Sequence, residues 1–354
     1  MSNPIRLLVV DDSAFNRRNI AEVFAGYPEV EVVGKAADGE EALRLASMLK
    51  PDVITLDLEM PRMDGFTFLR ILMSKQPTPV IVVSSYSQKE NVFKALELGA
   101  LDFVTKPDRQ ISADATELKE QILQKVLLVR QLRFAPAAPQ SRRQLASGNW
   151  APEKADASAP DVAYVAPRHL IAIGSSTGGP SALLEIFGKL PKGSPAAVVV
   201  AQHMPDKFTR TFAERLDRRG AFRTAEAQDN DAVARGTGLV CPGRQCMEVA
   251  VAGNVLRVSV KPPTAEDRYA PSVDRLLKSA AKAASGRAIG VVLTGMGDDG
   301  TEGARAIRDA GGIVIAEAQE TAVVYGMPGS VVRAGLATKV LPLPQIAEYL
   351  AGLT

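Results

Sequence analysis

Residues 5–24 read IRLLVVDDSAFNRRNIAEVF, an apolar run that ends in two acids and continues as an amphipathic segment. A short apolar run bounded by turn residues is typical of a buried strand, and apolar residues three or four apart are typical of a helix. Four more apolar runs before residue 132, VEVVG, DVITL, PVIVV and DFVTK, are each followed by such a segment. This succession of βα units predicts a doubly wound parallel sheet.

The second half of the chain shows the same alternation with different spacing. The apolar runs HLIAIGSS, AAVVVAQ, AIGVVLTG and GIVIAEA are separated by amphipathic segments, and a hairpin is predicted across Gly253 and Asn254. We therefore expect a second α/β domain with a parallel-rich sheet and a β-hairpin insertion.

Between these regions, residues 134–167 are rich in Ala, Pro, Ser and Gln and have no apolar period, which is typical of a linker. A length of 354 residues favours two cores of ordinary size over a single one. The predicted organisation is a first domain over residues 1–124, a linker over 125–166 and a second domain over 167–354.

The net charge of +2 comes from acids and bases spread along the whole chain, so no basic patch for nucleic acid or for a membrane surface is evident. No apolar stretch approaches the length of a membrane span or of a signal-peptide core. Cys241 and Cys246 are the only cysteines, which argues against a disulfide scaffold. We expect a cytoplasmic protein with protein partners, no nucleic acid and no membrane insertion.

Polar side chains stand where the predicted strands of the first domain end. Asp11 and Asp12 end the first strand, Asp57 the third and Ser84 the fourth, and Lys106 follows the fifth. In an open parallel sheet these strand ends share one edge, so the side chains should line one pocket. Three crowded carboxylates stay ionised most easily around a divalent cation such as Mg²⁺. The set suggests phosphoryl transfer, although any one aspartate could be a plain turn former.

The segments DD, LDLEMPRMDG, VVSS and FVTKP together resemble the response-regulator receiver family. The resemblance implies a flavodoxin-like sheet and Mg²⁺ held by Asp57 and the two acids after the first strand. It also implies that Asp57 accepts a phosphoryl group from a histidine kinase. Ser84 and Lys106 would contact the phosphoryl oxygens, and Phe103 would be the aromatic residue that changes with phosphorylation. The family more often has Thr where Ser84 stands, but serine keeps the hydroxyl.

The sequence GSSTGG opens a helix directly after the first strand of the second domain. Gly174, Ser176 and Gly178 fit the G-x-S-x-G pattern of a serine nucleophile at a strand-to-helix turn. Small residues and helix N–H groups at such a turn also suit a bound phosphate, so both interpretations stay open on this motif alone.

The chain has two histidines that could act as a base near neutral pH. His203 follows the strand AAVVVAQ and should lie at the same sheet edge as Ser176, whereas His169 begins its strand at the opposite end. Asp298 and Asp299 follow the strand AIGVVLTG, so one could orient the histidine and the other could cap the next helix. The order of serine, histidine and acid differs from that of the α/β-hydrolases.

The segments HLIAIGSSTGGP, VAQHMP and VVLTGMGDDG resemble the catalytic domain of the chemotaxis protein-glutamate methylesterase family, also called CheB. The resemblance implies Ser176 as nucleophile, His203 as base, Asp299 as orienting acid and the backbone N–H of Met296 as an oxyanion donor. It implies hydrolysis of glutamyl methyl esters on chemotaxis receptors and deamidation of receptor glutamines, with no cofactor for either reaction. It further implies that the unphosphorylated receiver blocks the Ser176 edge.

Other functions have weaker support. A nucleotide-binding domain would be expected to carry the lysine of the P-loop pattern or the G-x-G-x-x-G spacing, and the Ser176 loop has neither. A DNA-binding output domain would be expected to be basic and to carry a basic recognition helix, and the second half of the sequence shows neither pattern. The segment VCPGRQCMEV departs from the family pattern, but the C-x₄-C spacing of Cys241 and Cys246 is poor for zinc and indicates a structural role.

Overall fold

A computed structural model describes residues 3–85, 89–106, 112–132 and 164–353. Most of the predicted linker therefore lies outside the described residues. None of the helices in the described ranges is long and apolar enough to cross a bilayer.

The first part of the chain forms a five-stranded parallel sheet in the order β2-β1-β3-β4-β5. This order is the flavodoxin-like arrangement, so the predicted doubly wound fold is confirmed. The strands are β1 Ile5–Val10, β2 Val30–Ala36, β3 Val53–Leu56, β4 Val80–Ser84 and β5 Asp102–Thr105. The helices are α1 Ala14–Val23, α2 Gly39–Leu49, α3 Gly65–Lys75, α4 Lys89–Glu97 and α5 Ser112–Leu127, and a short 3₁₀ turn spans Leu128–Gln131.

Short side chains begin the first three helices. Ser13, Asp38 and Asp64 each accept a hydrogen bond from a backbone N–H in the first turn of α1, α2 and α3. These caps satisfy helix N–H groups that would otherwise lack a partner. The helix starts therefore follow from the local sequence.

Helix α5 continues past residue 124, where the sequence analysis placed the end of the first domain. Lys125 forms an ion pair with Asp102 of β5, and Val126 is buried against the sheet. These contacts explain why the last turn of α5 packs with the first domain.

The second part of the chain forms a seven-stranded parallel sheet in the order β14-β13-β12-β6-β7-β9-β8. Its strands are β6 His169–Ser175, β7 Ala196–Gln202, β8 Arg223–Glu226, β9 Thr237–Val240, β12 Ala288–Val292, β13 Ile313–Glu317 and β14 Lys339–Leu341. Its helices are α6 Gly179–Lys189, α7 Asp206–Arg219, α8 Val273–Ala284, α9 Thr301–Asp309, α10 Met327–Arg333 and α11 Leu343–Ala351.

The predicted insertion is an antiparallel hairpin of β10 Cys246–Ala252 and β11 Val255–Lys261, which pair separately from the large sheet. The turn falls at Gly253 and Asn254, as expected, with Gly253 at a φ of 62°. Glycine takes this left-handed conformation without the strain that a side chain would add. The fold predicted for the second domain is therefore confirmed.

The order in which successive strands join the large sheet reverses at β6: β7 is added on one side of it and β12 on the other. Strand β6 lies between β7 and β12, and its C-terminal residues Gly174 and Ser175 are paired with Val292 and Gln202 respectively. The loops after these three strands consequently meet at one edge, which is the usual ligand site of a doubly wound sheet.

The two α/β regions share an aromatic contact. Phe103 of β5 lies 4.7 Å from Phe208 of α7 between ring centroids, and Phe93 of α4 stacks on Phe212 at 5.6 Å. All four rings are buried. Beside them Arg215 forms ion pairs with Glu90 and Glu97 across the same boundary.

Candidate functional site

Three aspartates meet at the C-terminal edge of the first sheet. One carboxylate oxygen from each of Asp11, Asp12 and Asp57 lies within 4.8 Å of the other two, and Asp11 and Asp57 are buried. Lys106 Nζ lies 2.5 Å from Oδ2 of Asp57 and 2.9 Å from Oδ2 of Asp11. The donor set, three hard carboxylate oxygens in a tight cluster, fits a Mg²⁺ ion.

The charges in this pocket depend on one another. Burial raises the pKa of Asp57, and the nearby Lys106 offsets that effect only in part. Burial alone would lower the pKa of Lys106, but the charges of Asp57 and Asp11 outweigh it and leave the pKa raised. The pocket therefore holds an excess of negative charge that a bound cation would stabilise.

Ser84 and Phe103 stand on the two strands next to the acidic cluster. Ser84 ends β4, is fully buried and pairs in register with Thr105 of β5. Phe103 occupies the same strand as Thr105, and its buried ring contacts Phe208 of helix α7 in the second α/β region. The predicted switch aromatic is therefore part of the contact between the two regions.

The serine loop follows β6 closely. Ser176 donates its backbone N–H to the carbonyl oxygen of Thr294, 3.0 Å away, and Gly178 is the N-cap residue before α6, with a φ of 79°. A Cβ at Gly179 would lie 2.1 Å from Oε1 of Gln202, so only glycine allows this approach. The tight turn holds Ser176 at the N-terminus of α6.

His203 and Asp299 are joined by a hydrogen bond of 2.8 Å between Nε2 and Oδ2. The carboxylate of Asp299 also accepts the backbone N–H groups of Val273 and Asp274, each at 2.9 Å. These bonds fix the acid at the N-terminus of α8. Because Nε2 is occupied, Nδ1 is the ring nitrogen left for the serine.

The neighbouring aspartate, Asp298, differs from Asp299 in exposure and in partner. Asp298 is exposed, and its nearest charged partner is Arg268 at 3.4 Å. Of the two aspartates in the motif, it is Asp299 that faces the histidine.

Ser176, His203 and Met296 line one cavity of about 390 Å³. Within the part of the chain that the structure describes, no hydrogen bond joins the Ser176 hydroxyl to His203. Such bonds are often formed only when substrate is bound. The backbone N–H of Met296 likewise donates no hydrogen bond to the described residues, so it is available to an oxyanion.

The wall opposite the serine belongs to the first α/β region. Residues of β5 and α5 line the same cavity, among them Asp102, Gln121 and Lys125. The hydroxyl of Thr177 donates a hydrogen bond of 2.7 Å to Asp102. The candidate active site is therefore enclosed between the two α/β regions.

Sequence reasoning assigned no role to several residues of this site. Gln202 donates from Nε2 to the carbonyl oxygens of Ser176 and His203, each at 2.9 Å, and so links the loops that follow β6 and β7. Its position beside His203 in AQHMP was the available signal. Glu317 accepts the backbone N–H of Thr294 at 2.8 Å, and nothing local in the sequence pointed to that contact.

The other histidine and the two cysteines do not line the cavity at Ser176. His169 begins β6 and is thus at the opposite end of that strand from Ser176. Cys241 and Cys246 are free and buried, and burial raises the pKa of both thiols. Among the described residues the aspartate cluster is the group arranged to hold a metal.

Two family patterns match the sequence. The pattern described as CheB methylesterase matches residues 171–350, and the one described as response regulator receiver domain matches residues 7–116.

Curated relatives match the chain over nearly its full length. A protein-glutamate methylesterase/protein-glutamine glutaminase of Myxococcus xanthus is 47% identical, with 99% of this chain and 97% of the relative covered. One from Geobacter sulfurreducens is also 47% identical, covering 97% and 96% respectively.

Among solved structures, the CheB methylesterase catalytic domain of Thermotoga maritima is 41% identical. It covers 52% of this chain and 98% of its own, with a TM-score of 0.51. The chain therefore belongs to the CheB family of protein-glutamate methylesterases/protein-glutamine glutaminases, with a response regulator receiver domain ahead of a CheB methylesterase domain.

Proposed function

We propose that this protein hydrolyses glutamyl methyl esters, and deamidates glutamines, on methyl-accepting chemotaxis receptors, with Ser176, His203 and Asp299 as its catalytic residues. The observation that carries the proposal is the 2.8 Å hydrogen bond between His203 and Asp299 in the cavity that Ser176 also lines. The names of relatives that match nearly the whole chain support the choice of substrate.

In the proposed reaction the Ser176 oxygen attacks the ester carbonyl while His203 takes the serine proton at Nδ1. The negative charge on the tetrahedral intermediate is stabilised by the free N–H of Met296 and by the N-terminus of α6. The carbon–oxygen bond then breaks, and His203 returns the proton to the departing methanol. Water attacks the acyl-enzyme by the same route and releases the glutamate, and in deamidation ammonia leaves instead of methanol.

Asp299 stabilises the imidazolium that forms on His203. Its carboxylate accepts two backbone N–H groups at the start of α8, which keeps it in place beside the imidazole. Ester hydrolysis by this route uses no metal or organic cofactor.

The receiver part of the proposal concerns Asp57, which would accept a phosphoryl group from the chemotaxis histidine kinase. Asp11, Asp12 and Asp57 would hold Mg²⁺, which supplies positive charge for the transferred phosphoryl oxygens. Ser84 and Lys106 would contact those oxygens through a hydroxyl and an ammonium group.

Phosphorylation is proposed to open the active site. The cavity at Ser176 is walled by β5 and α5 of the receiver, and an α-helix with its side chains is about 10–12 Å wide. A receptor helix therefore needs the two regions to separate. Phe103 lies on the strand that precedes Lys106 and packs on Phe208, so a change at Asp57 can reach the contact through β5.

The division into a receiver over residues 1–124, a linker over 125–166 and a catalytic domain over 167–354 belongs to this proposal, with the last turn of α5 added to the receiver. A cytoplasmic location, with no nucleic acid partner and no membrane insertion, belongs to it as well.

The test is release of methanol from membranes that contain methylated chemoreceptor, with and without a small phosphoryl donor and Mg²⁺. We expect release that the donor increases and that Ser176→Ala and His203→Gln abolish. Ser181→Ala, an exposed serine in α6, and His169→Gln are the matched controls and should keep the activity. No release by the phosphorylated native chain from several receptors would contradict the proposed substrate.

A further inference from the structure

The imidazole of His203 has a second ring packed against it. Tyr269 stacks on His203 with ring centroids 5.0 Å apart and an interplanar angle of 15°. Both rings line the cavity that contains Ser176. Nothing in the acyl-transfer chemistry described above uses Tyr269.

A hydrogen bond to Asp299 leaves one degree of freedom in the imidazole. The bond holds Nε2, but rotation about the side-chain torsions of His203 can still tilt the plane of the ring. Such a tilt would change the direction in which Nδ1 points within the cavity that Ser176 also lines. A flat ring in face contact opposes it, because the two planes would have to separate.

The same stretch of chain positions both the base and the acid. Tyr269 contacts the face of His203, and Val273 and Asp274, four and five residues later, donate their N–H groups to Asp299. The stretch from Tyr269 to the first turn of α8 thus contacts both the imidazole and its carboxylate partner.

Tyr269 is itself held from two sides. The guanidinium of Arg268 lies 5.7 Å from the centre of its ring, and Arg268 is paired with Asp298. A Cβ at Gly297 would lie 2.8 Å from the tyrosine hydroxyl, so the phenol reaches the backbone next to Met296 only because residue 297 is glycine. Burial raises the pKa of Tyr269, which keeps the phenol neutral.

We propose that Tyr269 is a positioning residue whose ring holds the His203 imidazole in the plane that directs Nδ1 to Ser176. The expected effect on kcat rests on the proposed function, whereas the expected orientation of the imidazole does not. The ring carries the role, and the hydroxyl is dispensable.

The kinetic test compares Tyr269→Phe with Tyr269→Leu in the full-length, phosphorylated protein, using the methanol-release assay. Misaligned catalytic groups lose about 10- to 100-fold in rate, so Tyr269→Leu should lower kcat by that factor with little change in KM. Tyr269→Phe should stay within about threefold of the native kcat. Tyr349→Leu, a half-buried tyrosine of α11 that also has a cation over its ring, is the matched control.

A second measurement does not depend on turnover. In a His169→Gln background His203 is the only histidine, so selective histidine labelling yields its NMR signals alone. A ring stacked on the imidazole should shift the imidazole proton signals upfield, and this shift should persist in Tyr269→Phe and be lost in Tyr269→Leu. The dispersion of a separate, unfiltered one-dimensional proton spectrum reports whether each variant is folded.

Unchanged imidazole shifts in folded Tyr269→Leu would overturn the inference, as would a native kcat in that variant. An equal loss of kcat in Tyr269→Phe and Tyr269→Leu would also overturn it, because the hydroxyl would then carry the role. If the native chain releases no methanol from any receptor, the proposed function fails while the NMR comparison still decides the position of the ring.

Discussion

The hydroxyl of Thr177, the residue after the candidate nucleophile, donates a 2.7 Å hydrogen bond to the carboxylate of Asp102 on the receiver strand β5. Asp102 also forms an ion pair with Lys125 of α5 and is followed directly by Phe103. The serine loop is thus hydrogen-bonded to the receiver as well as packed against it. A movement of β5 that displaces Asp102 would break this hydrogen bond.

Replacing Thr177 by Val should raise methanol release by the unphosphorylated protein. Valine keeps the shape of threonine but cannot donate a hydrogen bond. A hydrogen bond of this kind contributes about 0.5–1.5 kcal/mol, so its loss should lower the ratio of closed protein, with the receiver over the cavity, to open protein by roughly 2- to 10-fold. The ratio of activity with and without the phosphoryl donor should fall accordingly. Thr177→Ser retains the hydroxyl and should keep the native ratio, and an unchanged ratio in Thr177→Val would show that this bond does not restrain the receiver.

Replacing Arg215 by Glu should also raise the unphosphorylated activity, by about two- to fivefold, because three like charges would then face one another across the contact. Arg215 of α7 is paired with Glu90 and Glu97 of α4, and the two glutamates are about half exposed, so the effect is modest. Arg210→Glu, on the same helix but paired with Glu214 in its own domain, is the matched control. Added salt should narrow the difference between native and Arg215→Glu. Equal activities at low salt would count against a role for these ion pairs in closure.

Chelation of divalent cations should remove the donor-stimulated part of the activity and leave the unstimulated part unchanged. The cation is expected to bind the carboxylates of Asp11, Asp12 and Asp57, whereas the Ser176 cavity needs none. Asp12→Asn should raise the Mg²⁺ concentration needed for half of the stimulation, because it removes one charged ligand. Asp52→Asn, an exposed residue at the other end of β3, should not. Full stimulation in the presence of chelator would exclude a divalent cation at this pocket.

Glu317 should make the stability of the protein depend on pH. Its carboxyl is fully buried, and burial raises its pKa from 4.5 to about 7. The folded state therefore binds the proton more tightly than the unfolded state does. The stabilisation is fully present below about pH 4.5 and is lost as the pH rises towards about 7, with a total on the order of 3 kcal/mol.

Glu317→Gln should remove this dependence, because the amide oxygen can still accept the N–H of Thr294 and carries no charge. In urea unfolding the native free energy of unfolding should fall more between pH 5 and pH 8 than that of the variant. Glu320→Gln, which changes an exposed residue nearby, should follow the native curve. Parallel curves for native and Glu317→Gln would mean that Glu317 keeps an ordinary pKa.

The local pattern of residues was enough for the five strands of the first sheet and for β6, β7, β12 and β13 of the second, whereas β8, β9 and β14 were not predicted. Each of these predicted strands is a largely apolar run of four to seven residues, and each of the first three helices begins at a capping side chain that the sequence displays. Because parallel strands bring their carboxyl ends to one edge, the positions of Asp57, Ser176 and His203 at strand ends predicted that they would gather in two pockets. The extent of α5 was less predictable, since its last turn is held by contact with β5.

Contacts between distant segments could not be read in this way. Tyr269 and His203 are separated by the whole hairpin insertion, and Thr177 and Asp102 lie on opposite sides of the linker, yet each pair is in direct contact. No periodicity or motif encodes such a pair, because each contact depends on how complete elements pack. The amino-acid sequence therefore determined most of the elements, the two sheet edges and the residues able to do chemistry there. Packing between elements decided which of those residues are oriented by a neighbour and that the receiver covers the serine, because shape complementarity arises only between folded surfaces.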